Sequence, residues 1–283
     1  MASHREILKA NRRERRKRYF RRSVTIVVFS ALILLFGGWY FWNSPTFALD
    51  KVVIVGAEKV SVEHLTQTVN NILSGKYFGL FREKVNWFYP RAELLARLHQ
   101  QFPELAAIDV LNISWGTLRV EVSEREPLAL WCENDCYYMD DSGLLYAPAP
   151  RFSNSPFFTL TGPSLPITIG SRPLSISGFQ HLFELRAAIN RLLQATPDFS
   201  GQTTDAVSLV EPVDFAFNVR NVRLTSDSWQ LLATRRDTVE TAMAHLVAAF
   251  STPSFLTDYR SSGIKLESLD IRFDRKVFYK FVP

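Results

Sequence analysis

Residues 108–122 read IDVLNISWGTLRVEV, two runs of strand-forming residues around Gly116. In the second run Leu118, Val120 and Val122 alternate with Arg119 and Glu121, the pattern of a sheet with one dry face and one wet face. Upstream, Pro103 ends a helix that begins near Pro90 and carries Leu94, Leu95, Leu98 and Phe102 on its apolar side. The segment GKYFGLF, 75–81, reads as a loop with aromatic anchors. Before it, Ser61 is placed to cap a helix whose buried side is Val62, Leu65, Val69 and Ile72. Residues 52–55 form a short apolar strand that turns at Gly56. Residues 47–124 therefore read β-α-α-β-β, a three-stranded sheet covered on one side by two helices.

Further upstream, residues 15–42 read RRKRYFRRSVTIVVFSALILLFGGWYFW. The uncharged run 23–42 is 20 residues long, and as a helix it spans about 30 Å, the thickness of a bilayer core. It shows no polar face and ends in Trp39, Tyr40, Phe41 and Trp42, residues suited to a membrane interface. A cleaved signal peptide has a shorter apolar run and small residues at the cut. Residues 1–22 carry ten Lys or Arg against Glu6 and Glu14, a net +8; the whole chain is +5, so the rest is −3. Juxtamembrane Lys and Arg stay cytoplasmic, which places residues 43–283 outside. Anionic lipid headgroups account for the basic tail, and no nucleic-acid partner is expected.

The body holds 22 Phe, ample material for burial, but only two cysteines, Cys132 and Cys136 in LWCENDCYY. If 133–135 is a hairpin loop, the two thiols face each other at disulfide spacing, which an extracytoplasmic site permits. Two half-buried free thiols are the alternative, and no metal is expected, since structural zinc needs four ligands. The second half alternates short strands (128–132, 136–140, 144–147, 157–161, 206–210, 214–218, 222–225, 229–233) with two helices. The first helix buries Phe179, Leu182, Leu185, Ile189, Leu192 and Leu193; the second, 237–250, is expected to point Val239, Met243, Leu246 and Val247 inward. Prolines cluster between Pro148 and Pro173, read as long surface connections. In the ending LESLDIRFDRKVFYKF, Leu269, Ile271 and Phe273 alternate with Asp270 and Arg272, and alternation resumes at Val277, Tyr279 and Phe281. The fold class is α+β, with four segments: a tail 1–22, a transmembrane helix 23–42, a module 43–125 and a β-rich domain 126–283 whose helices pack on an antiparallel sheet.

No catalytic constellation is present in the sequence: no GxSxG, HExxH, GxGxxG or Walker loop occurs. His4, His64, His99, His181 and His245 are scattered. Ser262-Gly263-Ile264-Lys265 matches S-x-x-K, but no KTG accompanies it. Asp140-Asp141-Ser142-Gly143 reads as a turn rather than an acid pair. No enzyme, cofactor or small-molecule substrate is expected.

The three-stranded sheet under two helices resembles a POTRA module. The whole layout resembles the bacterial cell-division family FtsQ, called DivIB in Gram-positive bacteria. The motifs that carry the resemblance are FALDKVVIVGAEKVS (47–61), GKYFGLF, SWGTLRVEVSEREPLALW (114–131) and LDIRFDRKVFYK (269–280), and within the third the run Glu124-Arg125-Glu126-Pro127-Leu128-Ala129-Leu130-Trp131 is the most telling. The resemblance implies a non-enzymatic scaffold at the division septum of the cytoplasmic membrane. It implies binding of two small bitopic proteins, FtsB and FtsL, which helps recruit and control septal peptidoglycan synthesis. The partner would add a strand beside the last strand, meeting Arg272, Phe273, Arg275, Lys276, Val277, Phe278, Tyr279 and Lys280. Edge lysines also serve simply to block aggregation. The CxxxC hairpin is not part of the family pattern. The alternative is another POTRA-containing envelope assembly protein, although such proteins string several modules before a barrel.

Overall fold

The computed structural model describes residues 4–43, 51–73, 76–77, 81–82, 91–114, 116–152, 156–162, 167–210, 214–222, 228–261, 265–273 and 276–283. They form two compact units, Met1–Glu124 and Arg125–Pro283, and the class is α+β.

The first unit begins with one continuous helix, α1 (His4–Asn43). Its stretch Tyr19–Tyr40, 22 residues, is long and apolar enough to cross a membrane, and none of it is buried by the protein. The basic tail, expected as a segment of its own, is helical from His4. Lys and Arg are good helix formers, and no Gly or Pro interrupts the chain before Gly37.

Next come β1 (Lys51–Val55), α2 (Val62–Leu73), the two-residue strands β2 (Lys76–Tyr77) and β3 (Phe81–Arg82), α3 (Arg91–Gln101), β4 (Leu105–Ser114) and β5 (Thr117–Glu124). The sheet order is β1-β5-β4, with β1 parallel and β4 antiparallel to β5. Leu65 and Val69 of α2, Leu94 and Leu98 of α3, and Leu118 and Val120 of β5 are fully buried together, each contributing roughly 1.5–3 kcal/mol. The Ser61 hydroxyl accepts from the His64 N–H at 3.3 Å, capping α2. Gly56 turns the chain at φ 93°, and a Cβ there would lie 2.1 Å from the Val122 carbonyl oxygen. Only glycine fits.

The second unit runs β6 (Ala129–Cys132), β7 (Cys136–Met139), β8 (Leu145–Ala149), β9 (Phe158–Thr161), α4 (Ile176–Ala195), β10 (Gln202–Val210), β11 (Asp214–Asn221), β12 (Ser228–Thr234), α5 (Val239–Phe250), α6 (Pro253–Arg260), β13 (Lys265–Phe273) and β14 (Lys276–Val282). These strands make one sheet of nine, ordered β14-β13-β12-β11-β10-β9-β6-β7-β8. The sheet is mixed, which corrects the antiparallel expectation: β6 with β9, β9 with β10, and β12 with β13 are parallel. Two of these pairings follow from helical crossovers, α4 before β10 and α5–α6 before β13, which return the chain to enter the sheet in the same direction.

Phe179, Leu182, Leu185, Ile189 and Leu193 of α4 are buried against the sheet, as their spacing predicts, with Leu192 partly buried beside them. In α5 the expectation for Val247 is corrected. It is 45% exposed, because Ala242, Leu246, Ala249 and Phe250 form the packed stripe. The strand expected at 222–225 does not stand alone, since β11 continues through Asn221, and residues 223–225 lie outside the described residues. Helix α6, unanticipated, starts with Pro253 in its first turn.

Candidate functional site

β14 is the terminal strand of the nine-stranded sheet, with β13 on one side and no strand on the other among the described residues. In its antiparallel register Phe281 faces Leu266, Tyr279 faces Leu269, Phe278 faces Asp270 and Lys276 faces Phe273, with irregularities between Leu266 and Ser268 and between Asp270 and Phe273. Alternation divides its side chains between two faces. Val277 and Phe281 pack partly against the core, and Tyr279 lies edge-on to Phe255 at 5.1 Å. Phe255 is fully buried among Phe199, Phe250 and Tyr259. That aromatic stack, which lies on α5, α6 and a short turn at Pro197–Phe199, is the support on which β14 rests. Its role is set by tertiary contacts that no local sequence pattern encodes.

On the opposite face Phe278 is 52% exposed and meets Phe273, 47% exposed, at 5.2 Å. Lys276 and Lys280 are exposed, and Lys280 pairs with Glu267 on β13. Arg272 is engaged inside the molecule. Its Nε and Nη2 donate to the two oxygens of Asp270 at 2.9 and 2.6 Å, and its Nη1 donates to Asp214 at 2.8 Å. The hydrogen bonds to Asp270, and to a lesser degree Asp214, push the guanidinium pKa above its ordinary value and hold it charged. A partner carboxylate that reached Arg272 would therefore compete with two acids already in place. Arg275 lies outside the described residues.

The far end of the sheet is built differently. Leu145 of β8 donates its N–H to the Ser171 carbonyl at 3.0 Å and accepts from the Gly170 N–H at 2.7 Å. Pro148, exposed in the same strand, has no N–H to offer. The edge of β8 is thus occupied by its own loop at one end and blunted by proline at the other.

The remaining sequence candidates have local explanations. Cys132 and Cys136 are a directly opposed pair at the end of β6 and β7 and are joined as a disulfide. Asp140 accepts from the Ser142 N–H and Leu144 N–H, each at 2.9 Å, from the Ser142 hydroxyl at 2.7 Å, and from the Arg125 guanidinium. Burial works against its charge, but these donors outweigh it and hold its carboxyl below the usual range. It is a turn anchor. His245 Nδ1 lies 3.3 Å from the Ile271 carbonyl, and His64 sits edge-on to Phe102. Among the described residues no group of three or more His, Cys, Asp or Glu side chains is placed to hold a metal. Ser262 falls outside the described residues.

The Glu124-Arg125 pair has a structural role on each side of the unit boundary. Glu124 Oε1 accepts from three successive backbone N–H groups, Glu58, Lys59 and Val60, each at 2.8 Å, which closes the turn after β1. Those donors hold its carboxyl below the usual range despite an opposing desolvation. Arg125 reaches Asp140 within the second unit. The residues that most strongly carry the family resemblance are thus also residues the fold itself uses. No protein-family model matches this chain, and no curated protein matches it either.

Proposed function

We propose that this protein is a non-enzymatic, membrane-anchored scaffold of the FtsQ/DivIB type, with residues 43–125 as a POTRA module. In this reading its tail is cytoplasmic, with anionic lipid at its surface, and residues 43–283 face the outside of the cytoplasmic membrane at the division septum. It binds small bitopic proteins resembling FtsB and FtsL by adding a partner strand to β14 and so helps recruit and regulate septal peptidoglycan synthesis.

The observation that carries this reading is the difference between the two ends of the large sheet. An unpaired edge offers a row of backbone donors and acceptors that another strand satisfies. Among the described residues no strand covers the outer side of β14, and beside it stand exposed Phe273 and Phe278, a pair of the size and shape that anchors interfaces. The apolar helix Tyr19–Tyr40 and the Cys132–Cys136 disulfide agree with a tethered domain in an oxidising compartment. The same edge fits an envelope interaction protein of another process, and the partner decides between them.

The charge on the edge supplies the test. Lys276→Glu combined with Lys280→Glu reverses two exposed charges, breaking the surface Lys280–Glu267 pair while leaving the core-facing Val277 and Phe281 in place. Co-purification from detergent extracts should then recover about tenfold less partner, roughly 1.4 kcal/mol. Undiminished recovery would remove charge from the recognition, and recovery of no single-span partner by the unaltered chain would remove the reading.

A further inference from the structure

We propose that the Cys132–Cys136 disulfide is a reversible redox site, opened by a dithiol reductant that attacks Cys132 while the domain stays folded. Ala129 and Trp131 of β6 and Met139 of β7 belong to the core cluster that the buried side chains of α4, α5 and α6 also form. Alternation therefore sets Cys132 and Cys136 on the opposite face of the sheet, away from the helices. The two are opposed at the last pair of the hairpin, and their bond closes a loop with a sequence separation of only 4. Loop-closure entropy grows with the length enclosed, so this bond restrains the unfolded chain less than one across a long loop. Nor does the hairpin depend on it. β6 also pairs with β9, and β7 also pairs with β8. At the tip the Glu133 N–H donates to the Asp135 carbonyl at 3.1 Å, and Arg151 donates to the carbonyls of Glu133, at 3.2 Å, and Asn134. A cross-link that adds so little to the fold is free to open and close.

The two sulfurs are not equivalent. Cys136 is 6% exposed and faces Ala149 of β8, whereas Cys132 is partly exposed and leads into the exposed tip residues Asn134 and Asp135. An attacking thiolate approaches a disulfide sulfur from the side opposite the sulfur that leaves, so the way to Cys132 runs over β9. Trp131 is in register with Leu160, which sets Cys132 beside Thr161; Thr161 pairs in turn with Ser208, and their hydroxyls are 2.8 Å apart. Short side chains line that path. In the first step a thiolate of the reductant bonds to Cys132 Sγ. The S–S bond breaks, and its electron pair leaves on Cys136 Sγ, which takes up a proton. In the second step the reductant's other thiolate attacks its own half of the mixed disulfide, and Cys132 departs as a thiolate and is protonated. Two electrons and two protons pass to the protein, and the reductant becomes a disulfide. A dithiol protein of the thioredoxin type supplies both sulfurs. The site rests on the hairpin and its flanking strands alone and does not depend on the scaffold reading.

The test uses the full chain in detergent and a thioredoxin-type protein whose second active-site cysteine is replaced by serine, so that the first step is trapped. The expected result is a mixed disulfide with the folded chain, located on Cys132 by mass spectrometry of proteolytic fragments. No adduct, or an adduct on Cys136, would overturn the proposal. Dithiothreitol alone should release two alkylatable thiols at a temperature where the chain is folded, and should lower the melting temperature of the second unit by no more than about 8 °C. Thiols that appear only as the domain unfolds, or a larger fall, would show a structural cross-link and overturn it. Single variants check the asymmetry independently. Iodoacetamide should modify Cys132 in Cys136→Ser about tenfold faster than Cys136 in Cys132→Ser, and equal rates would overturn the order of attack.

Discussion

β8 and β14 occupy equivalent places, one at each end of the same nine-stranded sheet, yet they treat their outer edges in opposite ways. β8 is five residues long, includes Pro148, buries Leu145 and Tyr146, and gives the Leu145 backbone groups to residues 170 and 171. β14 is seven residues long, contains no proline, and carries Phe278 and Tyr279 at 52% and 38% exposure. A sheet must protect its edges or use them. This one protects the first and, among the described residues, sets no strand against the second, which is supported from behind by a stack of buried aromatic rings. Lys276 and Lys280 supply only the weak protection of charge, which a partner with acidic groups turns into attraction.

The largest expected effect comes from removing that support. Phe255→Ala deletes a fully buried ring touching Tyr279 and Phe281. It should lower the stability of the second unit by about 3–5 kcal/mol, read by denaturant unfolding. Hydrogen exchange should rise first in β14 while β8 stays protected; equal loosening of both edges would break the comparison.

A smaller effect is expected at the turn that leads into β8. Asp140 has its folded pKa depressed, so its contribution to stability is complete above the unfolded value of about 3.9 and is lost as pH falls through the folded value. Asp140→Asn should cost about 2 kcal/mol at neutral pH and should flatten the fall in stability below pH ~4, measured by unfolding across that range. A variant with an unchanged acid limb would show that Asp140 is not among the carboxylates responsible.

The smallest effect sharpens the comparison itself. Pro148→Val restores a backbone donor to β8 with little change in stability, within about 0.5 kcal/mol. Because residues 170 and 171 still cover Leu145, sedimentation should show no more than a slight rise in self-association. Strong dimerisation would mean that the proline alone guards that edge.

The parts of this architecture that were legible in the sequence are those set by neighbours along the chain. The alternation in 118–122 gave β5 and its wet face, Ser61 announced the start of α2, and the apolar spacing from Phe179 to Leu193 gave the buried side of α4. The last strand was legible too, from the alternation of Val277, Tyr279 and Phe281. What did not show was set by distant partners. The parallel pairing of β12 with β13 depends on a two-helix crossover, and local alternation is the same in parallel and antiparallel strands that have one wet face. Arg272 reads as an exposed strand residue; of the two acids that hold it, Asp270 is two positions away but Asp214 lies 58 positions away. Val247 fitted a helical stripe as well as Ala249 did, and only packing chose between them.

The central claim is that β14 takes a partner strand and β8 does not. It is tested most directly by placing a photo-cross-linking residue at Phe278 in one strain and at Ala149 in another, irradiating living cells and identifying the adducts by mass spectrometry. The account predicts a small single-span protein joined at Phe278 and no such adduct at Ala149. The same adduct from both positions, or none from Phe278, would contradict it.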